Sequence, residues 1–231
     1  MRKIIFTLLL SFTFIGFSQN TLIPDQNFEQ ALIDLGIDSN PTPDGQVLTA
    51  DIEGVTQLNV NSKNIADLTG IEGFIALTEL RINNNQLTSL DVSNDPALTE
   101  LRINNNQLTS LDVSNNPALT RLECRSNQLS SLDVSNNIAL NFLQCYSNQL
   151  TSLDVSNNTA LTFLNCNTNQ LTSLDVRNGN NTAITSFNAS SNPDLTCIFV
   201  DDISYSNANW TVISSNSYFV ENEAECSNPS L

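Results

Sequence analysis

The sequence is rich in carboxylates and amides but holds few of the side chains that enzymes use to move protons or attack substrates. It contains 24 Asp and Glu residues, five cysteines and no histidine, so the commonest general base and metal ligand is absent. The carboxylates recur at a fixed interval, which indicates that they belong to a repeated scaffold. No glycine-rich phosphate loop is present. We therefore predict a binding protein that is not an enzyme and needs no cofactor.

The five cysteines fall into two groups. Cys124, Cys145 and Cys166 are each 21 residues apart, so they share one position of a repeat, and we expect them to be buried, unreactive thiols. Cys197 and Cys226 stand in the C-terminal segment and are predicted to form a disulfide. A metal site at this pair is the alternative, and the lack of histidine or of a third nearby cysteine argues against it.

A 21-residue repeat dominates the chain. It reads LTELRINNNQLTSLDVSNDPA from Leu77, returns from Leu98, Leu119, Leu140 and Leu161, and has looser copies from Val55 and Ile184. A unit with the pattern Leu-x-x-Leu-x-(Ile/Val/Cys)-x-x-Asn-x-Leu cannot bury its own apolar residues, so successive coils must stack. We predict a β-rich solenoid of about seven coils, wound as a right-handed coil, with a parallel sheet on the concave wall. Because the second half of each repeat echoes the first, short extended segments are expected on the convex wall.

One asparagine of each repeat is predicted to lie at an inward corner. A buried amide there needs hydrogen-bond partners, and the backbone of adjacent coils can supply them. In the first coil Lys63 takes this position, so the ladder is expected to end at Asn85. The predicted ladder consists of Asn85, Asn106, Asn127, Asn148, Asn169 and Asn192.

The N-terminal residues 1–18 have the layout of a secretory signal peptide. Arg2 and Lys3 precede an apolar stretch from Ile4 to about Phe17, and small residues follow at the offsets that a signal peptidase prefers. A membrane anchor is the alternative, but the stretch is shorter than the roughly 20 residues that a spanning helix needs. We expect an extracytoplasmic protein, secreted or on the cell surface, with no transmembrane segment in the mature chain.

Two caps are expected at the open ends of the solenoid. In residues 19–54 Asp25 can cap a helix, Phe28, Leu32 and Leu35 share one face of it, and Gly36 can end it. The repeats occupy residues 55–194, and residues 195–231 form the C-terminal cap. Four aromatic residues of that cap are predicted to shield the last coil: Phe199, Trp210, Tyr218 and Phe219.

The repeat resembles the short leucine-rich repeats of secreted Bacteroidetes-type proteins and is similar in plan to internalin-type domains. The resemblance rests on the pattern quoted above and covers roughly residues 21–227. Internalin-like proteins also begin with a helical cap, so the resemblance implies one here. It is specific for the fold and not for a ligand.

The concave strands carry the candidate binding residues. Four of the six basic residues that follow the signal peptide stand here, next to exposed aromatic residues, which protein interfaces and glycan sites favour. The alternative is that Glu79 with Arg81, Glu100 with Arg102, and Arg121 with Glu123 neutralise one another. The candidates are Arg81, Arg102, Arg121, Arg125, Phe142, Gln144, Tyr146 and Phe163.

The convex wall carries a column of like charges. Repulsion within such a column is costly unless water, salt or a cation screens it. The alternative function is therefore a structural, calcium-responsive surface or adhesion protein, although the flanking Ser, Thr and Asn residues lack the carboxylate density of a strong site. The column consists of Asp91, Asp112, Asp133, Asp154 and Asp175.

The overall charge limits the class of partner. The full sequence carries a net charge of −16, and removing the signal peptide lowers the basic count from 8 to 6 against 24 acidic residues, which gives −18. Such an excess argues against nucleic acid and anionic membranes. We predict a monomeric recognition module whose partner is a protein or a glycan.

Overall fold

The structure is a computed structural model that describes residues 19–227, so the predicted signal peptide lies outside the described residues. The described chain begins with a small cap. Strand β1 (Asn20–Leu22) pairs antiparallel with β2 (Gln46–Leu48), and helix α1 (Gln26–Asp34) lies between them in sequence. A short helix, α2 (Thr49–Ile52), leads to the first coil.

Asp25 fastens the cap at two places. One carboxylate oxygen accepts the backbone N–H groups of Asn27 and Phe28 at 2.8 and 3.0 Å, which satisfies the exposed amides at the start of α1. The other oxygen accepts the N–H groups of Ala66 and Asp67 in the first coil. The Asp25 side chain thereby links the start of α1 directly to the first coil.

The predicted apolar face of α1 needs one correction. Phe28 and Leu32 are fully buried, but Leu35 is 48% exposed. The helix ends at Asp34, and Gly36 turns the chain with a φ of +68°. Leu35 therefore lies beyond the buried face, beside Ile37 and Val55 at the edge of the first coil.

Seven parallel strands form the concave sheet, one from each repeat. They pair in register, so that Leu80 lies beside Leu101 and Leu101 beside Leu122, and the inward leucines of neighbouring coils stack in a continuous core. In spatial order the strands are β3 (Gln57–Asn59), β4 (Glu79–Arg81), β5 (Glu100–Arg102), β6 (Arg121–Glu123), β7 (Phe142–Gln144), β9 (Phe163–Asn165) and β11 (Ser186–Asn188).

A second, four-stranded parallel sheet forms on the convex wall, in the C-terminal part of the solenoid. Its strands are β8 (Ser152–Asp154), β10 (Ser173–Asp175), β12 (Cys197–Phe199) and β13 (Tyr218–Val220). The segment after residue 195 also adds to the winding, because Ala189 bridges Ile213 on the concave side. The solenoid thus has about eight turns. Two 3-10 turns, Ile71–Gly73 and Asn181–Ala183, lie at its bends.

The C-terminal segment covers the last full coil with aromatic rings. Trp210 stacks on Phe187 at 4.3 Å and donates its indole N–H to the Ile184 carbonyl at 3.0 Å, while Phe219 packs edge-on against both rings. Helices α3 (Ile203–Asn209) and α4 (Glu223–Ser227) complete the cover. The two remaining predicted rings, Phe199 and Tyr218, are half-buried.

A disulfide joins Cys197 to Cys226, with the two Cα atoms 5.8 Å apart. It ties α4 to strand β12, and the Tyr218 hydroxyl donates to the carbonyl of Cys226 at 3.2 Å. Because the bridge closes a loop of 29 residues, it restricts the unfolded chain and stabilises the C-terminal cover.

The asparagines of the concave corner are buried and fully bonded. The Asn127 amide donates to the carbonyls of Ile103 in the preceding coil and Cys124 in its own, at 2.9 and 3.1 Å, and its oxygen accepts the Leu108 N–H at 3.1 Å. At the start of the ladder Asn85 accepts the N–H groups of Lys63 and Ile65. The members are the six asparagines predicted from the sequence: Asn85, Asn106, Asn127, Asn148, Asn169 and Asn192.

A second asparagine ladder lies on the opposite corner, and the sequence analysis missed it. Asn137, for example, donates to the carbonyls of Val113 and Asn116 in the preceding coil, both at 2.9 Å. The echo between the two halves of the repeat was the signal that could have revealed it. The ladder contains Asn116, Asn137, Asn158 and Asn178, and Asp95 takes the same position in the second coil.

Next to the concave ladder, one residue of each coil adopts a left-handed backbone. From the second coil onward these residues have φ values between +51° and +57°, a region that suits asparagine and disfavours β-branched side chains. In successive coils they are Asn84, Asn105, Ser126, Ser147, Thr168 and Ser191. Thr168 is the β-branched residue of this column.

We expect Thr168→Asn to stabilise the protein by about 0.5–1 kcal/mol, because asparagine tolerates the left-handed backbone that threonine adopts only with strain. Denaturant unfolding measures the gain. Thr151→Asn is the matched control, since Thr151 is also exposed but has no positive φ. An equal gain in both variants would contradict the strain at Thr168.

Candidate functional site

The concave strands of coils two to four carry a continuous ion-pair network, which we call the charged cluster: Glu79, Arg81, Glu100, Arg102, Arg121 and Glu123. Arg81 contacts Glu79 at 2.9 Å and Glu100 of the next coil at 2.7 Å. Arg102 contacts Glu100 at 2.8 Å, and Arg121 contacts Glu123 at 2.6 Å. Charges therefore alternate along each strand. Between β4 and β5 like charges lie in register and the Arg81–Glu100 ion pair is diagonal, whereas opposite charges lie in register between β5 and β6.

Within the charged cluster each arginine already has a carboxylate partner. Burial raises the pKa of Glu100, but the hydrogen bonds from Arg102 and Arg81 outweigh it and hold that pKa below its ordinary value. Such half-exposed pairs each contribute about 0–1 kcal/mol to stability. Arg81 and Arg102, two of the predicted binding residues, thus lie together and are neutralised by their own sheet.

Beyond the charged cluster the sheet becomes aromatic. The rings of Phe142 and Phe163 stack 4.1 Å apart with an angle of 11° between their planes. The guanidinium of Arg121 lies 3.7 Å over the other face of Phe142, and Arg125 lies 5.5 Å over Tyr146. We call Phe142, Tyr146 and Phe163 the aromatic cluster. In-register pairing of the strands brings the two phenylalanine rings together.

Amide and hydroxyl side chains surround the aromatic cluster. Gln144 pairs with Asn165, and Asn165 pairs with Asn188, so a row of amides runs parallel to the two phenylalanines. Within residues 19–227 no carboxylate lies within 4.0 Å of the Arg125 guanidinium, although the other three predicted arginines are all ion-paired. The structure thus divides the eight predicted residues between a neutralised half and an aromatic half, with Arg121 at the boundary.

Each aspartate of the convex column accepts a hydrogen bond from its own turn. Asp112 accepts the backbone N–H of Ser114 at 2.9 Å, and the bonds from this serine lower the pKa of the carboxyl. Asp175 accepts the backbone N–H of Arg177 and also pairs with the guanidinium of that residue. Within residues 19–227 no three metal-ligating side chains are placed to hold an ion together. This geometry does not favour the calcium-responsive alternative.

The three repeated cysteines stack inside the solenoid. All three are fully buried, and burial raises the pKa of Cys124 and Cys166 to about 12 and that of Cys145 well above its usual value. The thiols of Cys145 and Cys166 lie 3.8 and 3.6 Å from carbonyl oxygens of the following coil. They fill the core as small apolar side chains.

The fold and the repeated pattern define the chain as a leucine-rich-repeat domain. Residues 50–158 match the family model of the endo-beta-N-acetylglucosaminidase EndoS LRR domain. No curated protein matches the chain. Leucine-rich-repeat domains are general protein-interaction modules.

Several solved structures are similar. The functional domain of InlJ from Listeria monocytogenes, described as including a cysteine ladder, is 35% identical with a TM-score of 0.64 over 79% of this chain. This chain spans 38% of the length of that structure. An internalin, InlF, from the same organism is 23% identical over 88% of this chain and 73% of its own, with a TM-score of 0.55. The LRIM1/APL1C complex has a TM-score of 0.54 at 22% identity, over 75% of this chain and 37% of its own. The last two matches support the fold alone.

None of the helices within residues 19–227 has the length and apolar character that crossing a membrane requires. The longest of them, α1, has nine residues. The disulfide and the internalin-like neighbours suggest an extracellular protein.

Proposed function

We propose that this domain is a secreted or surface-exposed recognition module that binds its partner through the aromatic half of the concave sheet. The observation that carries this proposal is the stacked pair Phe142–Phe163 on a solvent-facing wall. When a partner buries a large aromatic side chain that was exposed on a surface, the removal of that side chain from water stabilises the complex. The row of amides beside them supplies directional hydrogen bonds.

The charge distribution supports the same half of the sheet. Arg81 and Arg102 would have to break existing ion pairs in order to bind a ligand, which offsets most of the gain. Arg125 faces no such loss, because its contact is with the ring of Tyr146. The proposed site therefore comprises Arg121, Arg125, Phe142, Gln144, Tyr146 and Phe163, with the charged cluster as its supporting border.

An extracytoplasmic location belongs to this proposal. The Cys197–Cys226 disulfide supports it, because such bridges persist in oxidising compartments and are rare in the cytosol. The signal-peptide layout of residues 1–18 supports it independently. The domain boundaries, with caps at residues 19–54 and 195–231, remain part of the same proposal, as does the monomeric state.

The test compares capture by the immobilised full chain with capture by Phe142→Ala/Phe163→Ala. Extracellular material from the organism's surroundings is the sample, and we expect the double variant to lose the captured component. Ser89→Ala/Ser110→Ala on the exposed convex wall is the control and should capture normally. Equal capture by all three proteins, with unchanged melting temperatures, would overturn the concave site.

A further inference from the structure

The concave wall of coils five to seven forms a surface without a single charged side chain. Three rows of three residues face solvent there, and we call them the uncharged grid: Phe142, Phe163 and Ser186; Gln144, Asn165 and Asn188; Tyr146, Asn167 and Ser190. In a chain of net charge −16 such a surface is unusual. The charged cluster lies on one side of it, so the concave wall changes from charged to uncharged between neighbouring coils.

The phenylalanine stack is closed at one end and open at the other. Arg121 covers the outer face of Phe142 at 3.7 Å, and Phe142 covers one face of Phe163 at 4.1 Å. The next residue in this row is Ser186, which pairs in register with Phe163 and is exposed. Since strands lie about 4.8 Å apart, a serine leaves room for a flat group where the next ring of the stack would lie. Within residues 19–227 no aromatic ring other than Phe142 stacks on Phe163.

The next turn of the solenoid keeps this slot open. Trp210 follows Ser186 in the winding, but its ring turns inward, where it stacks on Phe187 and is 3% exposed. Val212 is 45% exposed on the same wall, next to the amide row. The surface beyond Phe163 is thus uncharged and is bordered by an exposed apolar side chain.

The chemistry of the grid selects among ligands. A cationic side chain would find no carboxylate in the grid, and an anionic ligand would approach against the long-range field of the whole chain. A neutral pyranose ring meets neither obstacle. Its C–H face carries partial positive charge and complements the negative face of an aromatic ring, while amides supply both donors and acceptors for hydroxyl groups.

We propose that the uncharged grid binds a neutral glycan, with one pyranose ring stacked on the open face of Phe163 beside Ser186. This proposal rests on the proposed function and names its ligand class. Gln144, Asn165 and Asn188 hydrogen-bond the ring hydroxyls, and Tyr146 borders the neighbouring sugar unit. Protein ligands, which leucine-rich-repeat domains generally bind, are the competing class.

Affinity electrophoresis of the full chain tests this proposal against a panel of soluble polysaccharides. The neutral probes are glucans, xylans and mannans, and polygalacturonate is the anionic probe. We expect at least one neutral polysaccharide to retard the wild-type chain and polygalacturonate to have no effect. Phe163→Ala should weaken the retardation at least about tenfold, since it removes the stacking face.

Ser186→Phe provides an independent variant that removes no wild-type ring. A third stacked phenylalanine fills the slot, and the exposed position tolerates it, so binding should fall at least about tenfold with the fold intact. Ser110→Phe, on the exposed convex wall, is the matched control and should bind normally. Loss of binding in Phe163→Ala and Ser186→Phe, but not in Ser110→Phe, supports the glycan site.

Other outcomes overturn it in distinguishable ways. If no neutral polysaccharide retards the chain, or if Ser186→Phe binds as well as wild type, the glycan proposal fails. The glycan proposal can fail while the capture experiment still shows that Phe142→Ala/Phe163→Ala loses a captured component. If protease destroys that component, the concave site stands and its ligand is a protein. If that double variant captures normally, the proposed function itself fails.

Discussion

Replacing Asp95 by asparagine is expected to raise the free energy of unfolding by about 1–3 kcal/mol at about pH 7.5. Asp95 is 2% exposed, and neither carboxylate oxygen has a hydrogen-bond partner within residues 19–227. It occupies the ladder position where the next three coils have asparagines, whose amides donate to carbonyls of the preceding coil. A carboxylate cannot make such a bond, and an amide can.

The gain should depend on pH in a defined direction. Burial, with a smaller contribution from Asp91, raises the pKa of Asp95 to about 6, above the ordinary value of 3.8. As pH rises from about 4 to about 6, the unfolded chain releases this proton while the folded chain retains it, so the wild type loses stability. Below about pH 4 both states are protonated and the penalty disappears. The advantage of Asp95→Asn should therefore be large at about pH 7.5 and small at about pH 4.

Urea unfolding of both proteins at the two pH values measures this dependence. Asp133→Asn is the matched control, because it removes the same charge from an exposed carboxylate that accepts the Ser135 N–H. Hydrogen bonds to Ser135 lower the pKa of Asp133, so neutralising it should not reproduce the gain. A benefit of Asp95→Asn that is equal at both pH values would contradict a buried, charged Asp95.

Replacing Asn127 by alanine is expected to lower the free energy of unfolding by about 2–4 kcal/mol. Its amide bonds the carbonyls of Ile103 and Cys124, and its oxygen accepts the Leu108 N–H, so the change leaves buried backbone groups of two coils without partners. Asn127→Asp should be equally harmful, because it preserves the shape but removes the donor.

Asn115→Ala is the control for the ladder variants, since Asn115 is an exposed residue of the same repeat. Its unfolding midpoint in urea should stay close to that of the wild type. If Asn127→Ala unfolds at the same denaturant concentration as Asn115→Ala, the concave asparagines do not hold the coils together.

The periodic part of the fold could be predicted from sequence because its physical cause is local spacing. Leucines at fixed intervals place Leu80 and Leu101 on one inward row, and the asparagine corner follows from the same interval. The eighth turn could not be predicted this way, because residues 201–220 lack the repeat and wind on through Ile213 and β13. The prediction that Leu35 lies on the buried face of the helix was wrong for a related reason, since helical spacing does not reveal where α1 ends.

The candidate site was predictable as rows of residues but not as contacts. In-register strands placed Phe142 beside Phe163 and Arg81 beside Arg102. Side-chain conformation decided the rest: Arg81 reaches Glu100 across the coils, and Arg121 turns toward Phe142. The open face of Phe163 depends on the orientation of its ring and on the inward turn of Trp210. Neither can be predicted from the spacing of residues in the sequence.

Hydroxyl-radical footprinting of the full chain, with and without its bound ligand, tests the central claim most directly. The aromatic half of the concave sheet should be protected, so the oxidation of Phe142, Tyr146 and Phe163 should fall while that of Tyr205, in α3 of the C-terminal cover, stays unchanged. Unchanged oxidation of these three residues, with protection confined to the convex wall or to the caps, would contradict binding through the concave aromatic cluster.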